Sequence, residues 1–411
     1  MENDIENDKV DYNKVNHDRC FKRGLLITFE GIAATIFDSQ VALHARQMRD
    51  QGIEFEIWTF QTRRRLYKPS LQRLDSSMKL ARSSIRLFRG MFSYLPFSGF
   101  VNAVILLYYL IKEKPDVDFI HARADYAAHV CAFLTPFLKL PLIWDCRGDA
   151  EAEFALAYSP KNWLLQLAKR IYLWLIRWRT YHAATNSHRV IFVSKGLWKR
   201  MGKRVQHENI KVIPCGVSEE HFFFSETLRR ESRERLGFDA HDRVLIYSGG
   251  MVKYQGFSEY IEMFWRFYQR GGRYKFLIAT PYNEMAYTFL KRIPGESYKL
   301  ISASFEEMNS LYNAADFGTL LRPYNRVNDV ASPTKFGEYC LSGLPVIMND
   351  TVQQANEYAK RFGNLISYYP NLILPDLIPV DNKVREIISK AASKVLSRTA
   401  LVQRYLQVYT Y

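Results

Sequence analysis

The chain has 411 residues, 48% hydrophobic and 24% charged, with a formal net charge of +15. At about 100–200 residues per domain this length predicts two domains. Five scattered cysteines (Cys20, Cys131, Cys146, Cys215, Cys340), odd in number and without metal-ligand spacing, exclude a disulfide framework and a zinc site.

Residues 1–18 are polar and read as a disordered tail rather than a signal peptide. From there short apolar strands alternate with longer helical stretches. Strands are predicted at 24–29, 55–60, 118–121, 142–145 and 189–194, with a helix at 38–52 between the first two. The longest apolar run, 97–111, is shorter than the about 20 residues of a membrane span. It leads into Lys112-Glu113-Lys114-Pro115-Asp116 as a core helix before a strand would. Residues 212–214 close this half, and the boundary falls near Pro214-Cys215-Gly216-Val217. Residues 218–241 follow as linker and first helix. Strands at 243–250, 274–279 and 317–321 and a helix at 306–314 repeat the style, and residues from 382 onward are helical. Such alternation implies an α/β chain of parallel sheets covered by helices on both faces.

The positive charge is unevenly spread. Residues 154–207 contain no Asp or Glu, and residues 60–112 hold Asp75 alone against ten lysines and arginines. Within the first stretch Trp163, Trp174 and Trp178 interleave with leucines and basic residues, as in a helix lying in a membrane interface. The alternative is a core helix whose lysines and arginines reach out to water. No nucleic-acid motif accompanies the charge, so an anionic membrane surface is the expected partner and nucleic acid is not.

Four segments carry chemistry. The loop after the first strand, Phe29-Glu30-Gly31, leads on to Ser39-Gln40. A glycine there lets backbone amides approach a phosphate, although a plain strand-to-helix turn would look the same. The second segment places His121-Ala122-Arg123 and Asp145-Cys146-Arg147-Gly148 at the ends of neighbouring strands, with Glu151 and Glu153 following. The third, Ser248-Gly249-Gly250 to Lys253 and Gln255-Gly256, is a glycine turn after a strand, a phosphate-binding design. Arg322 adds a cation at another strand end. The fourth is 332–347, Ser-Pro-Thr-Lys-Phe-Gly-Glu-Tyr-Cys-Leu-Ser-Gly-Leu-Pro-Val-Ile. It reads as a loop opening into a helix that Gly343 ends, followed by a buried strand. Lys335 sits at the opening and Glu338 one turn on. A lysine for a diphosphate and a carboxylate for a ribose diol, so spaced, suit a nucleotide sugar.

In order, these segments resemble family 4 glycosyltransferases, in particular a branch that builds bacterial surface glycans. That family has the GT-B fold, two doubly wound Rossmann-like domains facing across a cleft. The resemblance implies an acceptor-side domain at 19–216, a nucleotide-sugar-binding domain at 217–385 and a helical tail at 386–411 that packs back on the first domain. It implies a retaining, metal-independent hexosyl transfer with no cofactor beyond the nucleoside-diphosphate sugar as co-substrate. Arg123, Asp145 and Arg147 would serve catalysis. Gly31, Gly250, Lys253, Arg322 and Lys335 would take the donor diphosphate, Glu338 the ribose, and Asp329, Ser332 and Thr334 the sugar. The acceptor would be a glycan or lipid-linked, met by a cytoplasmic enzyme on the inner face of the membrane through residues 154–207. The chain departs from many relatives in three places. Arg123 stands where they have a histidine, Gly250 and Gln255 where they have an arginine and a lysine, and Val330 where they have a sugar-holding glutamate. Those departures keep two rivals open, a nucleotide-sugar epimerase or hydrolase on the same fold and a non-catalytic membrane-bound scaffold.

Overall fold

The computed structural model describes residues 21–32, 35–202, 209–371 and 376–410; the expected tail 1–18 lies outside them. The first half folds around β1 (Arg23–Thr28), β2 (Glu54–Gln61), β3 (Ile85–Arg89), β4 (Phe119–Arg123), β5 (Leu142–Cys146), β6 (Arg189–Phe192) and β7 (Ile210–Val212). The second contains β8 (Arg243–Ser248), β9 (Tyr274–Ala279), β10 (Tyr298–Ile301), β11 (Phe317–Leu320), β12 (Val346–Met348) and β13 (Leu365–Ser367). All paired strands are parallel, in the orders β3-β2-β1-β4-β5-β6-β7 and β10-β9-β8-β11-β12-β13. These are two doubly wound sheets, the GT-B architecture. Strand order reverses between β1 and β4 and again between β8 and β11, the crevices where open α/β sheets bind ligands.

Apolar strands buried on both faces hold each sheet. Leu25, Ile27, Trp58, Ile120 and Trp144 lie in the core on one side of the first sheet, and Leu26, Ile57, Phe119 and Ile143 on the other. β3, β10 and β13 escape a reading by hydrophobicity because Arg86, Arg89, Lys299 and Ser367 interrupt short edge-side strands. The expected helix at 38–52 begins as a π-turn over Asp38–Ala42 before the α-helix Leu43–Arg49.

The run 97–111 is corrected by the structure. It forms the helix Ser98–Glu113, which buries Gly99, Asn102, Ala103, Leu106 and Leu110, yet exposes Phe97, Phe100, Val101, Val104, Tyr108 and Ile111. The helix is apolar all round, but only one side meets the fold.

The chain passes between domains twice, at Val217 and at Ser397, and the two passages are paired. Val217 N donates to Leu396 O (2.9 Å) and Arg398 N to Val217 O (2.9 Å), a one-rung parallel bridge. The helix Asn382–Leu396 stays with the second domain, contributing Ala392 and Leu396 to its core. The closing helix Arg398–Val408 crosses over and, with Tyr409 just after it, buries Leu401, Tyr405, Leu406 and Tyr409 against Val41, Phe55 and Phe119 of the first domain.

Candidate active site

Parallel register builds the first-domain half of the site. β4 and β5 place Arg123 directly opposite Asp145, and Arg147 follows one residue beyond the end of β5. Asp145 Oδ2 lies 3.1 Å from Arg147 Nε, 3.5 Å from His121 Nε2 and 3.6 Å from Arg123 Nη1. Burial pushes the Asp145 carboxyl up, but Arg147, His121 and Arg123 together outweigh it and hold the group well below the usual carboxylate range. Asp145 therefore stays ionised and fixes two arginines. Arg147 reaches on to Gln40 Oε1 (3.2 Å). Arg123 is 4% exposed, and its buried Nε and Nη1 make no hydrogen bond to any described residue, standing only at ion-pair distance from carboxylates. Glu30, in the loop after β1, stands 3.7 Å from Arg123 Nε. Gly31 beside it has φ +71, and a Cβ there would run into the Gln61 side chain, so the turn requires glycine.

His121 is buried. Its Nδ1 is 2.9 Å from the Tyr409 hydroxyl, which lies 2.8 Å from His44 Nε2. The closing helix thus backs the Asp145 cluster through His121. Of the two following glutamates, Glu151 is taken by Arg177 (2.6 Å). Glu153 has its carboxyl pushed up to about 7 by burial, with Glu30 and Asp149 adding repulsion. Asp125, beneath it, is likewise pushed up to about 7 by burial, although the Cys146 thiol donates to it (3.4 Å).

The second-domain half is a floor of tyrosines between two cations. The helix Thr334–Leu341 opens at Pro333 without a side-chain cap. Lys335 Nζ meets Glu338 Oε2 at 2.9 Å, and the Tyr312 hydroxyl donates to the same oxygen (2.7 Å). Glu338 is buried, and Oε1 takes no hydrogen bond from any described residue. Ser248 Oγ lies 2.9 Å from the Tyr312 hydroxyl and 3.0 Å from that of Tyr339. Burial keeps Tyr312 protonated by pushing its phenol well above the ordinary value. Arg322 sits half-buried across this floor, its Nη1 donating to Tyr254 O (3.1 Å). Burial lowers its pKa, and it has no carboxylate within ion-pair distance among the described residues. Gly250 O accepts from the Tyr247 hydroxyl (2.5 Å), and Lys253 is exposed on a 3-10 turn, Lys253–Gln255.

The expected sugar contacts are placed differently from one another. Ser332 Oγ accepts from Cys215 N (3.1 Å), a bond between the domains, and Asp329 is exposed at the end of the short helix Arg326–Asp329. Thr334 is the first residue of its helix and half-buried. Tyr312, Tyr339, Gln40 and Tyr409 belong to the site or its support and were not legible as such. Gln40 and Tyr339 stood in the first and fourth of the segments singled out above, but without a role of their own; Tyr312 and Tyr409 stood in none of the four. Asp316 is structural, pairing with Arg229 and, at 3.2 Å, with Arg233.

Two Rossmann-like sheets with cations at their facing strand ends define the GT-B class. Residues 39–221 match the family model described as Glycosyltransferase Family 4. That match spans most of the first domain, and the two domains together have the GT-B fold. Among solved structures the chain is similar to sucrose-phosphate synthase from Thermosynechococcus elongatus, at TM-score 0.67 and 13% identity over 94% of this chain and 98% of that one. It is similar to HepE of Anabaena in complex with UDP, at TM-score 0.63 and 15% identity over 94% and 99%. A lipopolysaccharide outer core galactosyltransferase, WaaB, aligns at TM-score 0.54 and 11% identity over 94% and 95%. No curated protein matches the chain in sequence.

Proposed function

We propose that the chain is a retaining glycosyltransferase of bacterial polysaccharide synthesis, moving a sugar from a nucleoside-diphosphate sugar to a glycan or lipid-linked acceptor. The observation that carries this is the second-domain floor. Among the described residues, Arg322 is a cation without a carboxylate partner, and Glu338 keeps one oxygen unbonded beside Lys335 and an uncapped helix start. HepE has been solved with UDP and with UDP-glucose, which supports a nucleotide-sugar donor here.

In this reading Lys335, Lys253 and Arg322, with the turns at Gly31 and Gly250, hold the diphosphate in place of a metal. Glu338 Oε1 takes the ribose diol, and Asp329, Ser332 and Thr334 border the sugar. Charge builds on the departing diphosphate as the anomeric centre becomes cationic, and fixed cations stabilise it most where water is excluded. The acceptor hydroxyl attacks on the face the diphosphate leaves, and a diphosphate oxygen takes its proton. Arg123 and Arg147, oriented by Asp145, hold the acceptor, with Glu153 as the nearby carboxyl. The enzyme works in the cytoplasm at the inner face of the membrane, which the acid-free segment 154–207 meets. No helix among the described residues is long and apolar enough to cross a membrane.

A thermal-shift series of nucleoside diphosphates, UDP first, tests the donor site. A ligand at 100 times its dissociation constant stabilises by about 2.7 kcal/mol. No shift with any of them would leave the scaffold reading. Turnover of a nucleotide sugar in the absence of any acceptor would favour the epimerase or hydrolase.

A further inference from the structure

Two helices of the first domain expose apolar stripes, and contacts between them tie the two together. The helix Trp163–Thr185 exposes Trp163, Leu164, Leu167, Ile171 and Trp174, Trp163 at 69%. The helix Ser98–Glu113 and the turn before it expose a second stripe, led by Phe97 at 83%. Phe97, Phe100, Val104, Tyr108 and Ile111 recur every three or four residues, so they share one helix face.

Buried contacts lock the two stripes together. Arg179 is buried. Its Nη1 donates to Ser93 O and to the Tyr172 hydroxyl, both at 3.2 Å, and its guanidinium lies between the Tyr126 and Tyr172 rings. Tyr172 also donates to Ser93 O (3.3 Å). Phe133 bridges the helices, its ring centroid 6.1 Å from that of Phe100 and 6.4 Å from that of Trp178. The turn bearing Phe92, Tyr94, Leu95 and Phe97 is thus fastened to the tryptophan helix.

Phe97 has φ +59, a backbone region that bulky side chains rarely adopt, and this carries its ring outward. The turn follows the carboxyl end of β3, the same end of the sheet as Gly31, Arg123 and Asp145.

Charge decides the occupant. Residues 76–112 and 154–207 contain no Asp or Glu. The bordering carboxylates Glu113 and Glu151 are paired with Arg86 and Arg177. Lys139, Lys161 and Arg170 are exposed around the patch. A rigid apolar face rimmed by cations complements an anionic bilayer.

We propose that the turn 92–97 and the outer stripe of the helix Ser98–Glu113 join the tryptophan helix as a single docking face for an anionic bilayer. That face holds the mouth of the acceptor-side domain at headgroup level, so the acceptor is reached from the lipid surface. The inference rests on the membrane reading of 154–207 and adds a second, hydrophobic arm to it.

The test is sedimentation of the full chain with vesicles of phosphatidylcholine alone or mixed with phosphatidylglycerol, at low and high salt. Wild type should bind the mixed vesicles, less so as salt rises. The stripe variant Phe97→Asn/Phe100→Ser/Val104→Ser/Tyr108→Ser alters only exposed side chains. It should bind at least tenfold more weakly while its melting temperature and UDP shift stay at the wild-type level. Lys161→Gln/Arg170→Gln should lose affinity mainly at low salt. Wild-type vesicle binding by the stripe variant, with loss in the charge variant, would overturn this inference and leave the membrane reading of 154–207 standing. A concentration-dependent dimer in sedimentation velocity that the stripe variant abolishes would overturn it in favour of a second copy. Indifference of wild type to anionic vesicles at low salt would overturn both membrane readings, while a UDP shift would still support the transferase.

Discussion

At the scale of single residues, the second-domain floor and the first-domain crevice make different predictions. Lys335→Ala and Glu338→Ala each remove a charge-assisted contact worth about 1.5–3 kcal/mol. Each should weaken UDP binding tenfold or more by calorimetry, and unchanged affinity in both would sink the donor assignment. Asp145→Asn should leave UDP affinity near wild type. It strips the counter-charge from Arg123 and Arg147, both largely buried, and breaking a buried pair costs about 3–5 kcal/mol. The variant should therefore melt earlier. Asp125 sets a pH dependence. Its carboxyl is raised to about 7 in the fold, so between the ordinary carboxylate value near 4 and that point the native state holds a proton the unfolded chain has released. Its contribution makes stability fall as pH rises through that window. Melting temperatures of Asp125→Asn from pH 5 to 8 should decline less steeply than those of wild type, and an identical slope would refute the assignment.

At the scale of elements, what could be read depended on how local the physics was. The strand ends carrying Arg123, Asp145 and Arg147, and the helix from Lys335 to Glu338, announce themselves because a strand period or one helical turn sets their spacing. The helix Ser98–Glu113 was legible as a helix but not in its outward face. An element apolar all round does not say which side the fold leaves open. Nor was Tyr409 legible, since it reaches His44 and His121 across most of the chain and no local pattern encodes such a meeting. Its role is testable. Tyr409→Phe leaves two buried imidazoles without the hydroxyl they share, and an unmet buried polar group costs about 1–3 kcal/mol. The first domain should unfold at lower denaturant, and the UDP affinity of the second domain should not move.

At the scale of the whole molecule, parallel sheets were evident from the alternation of strands and helices and their facing arrangement was implied by the resemblance, but the doubled passage between domains was not legible. The bond from Ser194 Oγ to Val330 O (2.6 Å) and that from Cys215 N to Ser332 Oγ tie the domains together near the passage. The bridge of Val217 with Ser397 makes the two connecting strands move as one. The first domain is therefore discontinuous, closed by Arg398–Val408 after the second domain has intervened. A chain ending at Ser397 should lose the first domain's cooperative unfolding transition while retaining that of the second. The same threading sets a timetable during synthesis. At about 5–20 residues per second, the ribosome needs roughly 10–40 s to travel from Gly216 to Arg398. Throughout that interval the slot for Tyr405 and Tyr409, walled by Phe55 and Phe119, stands open on a nascent chain. The half of the protein made first is the half completed last.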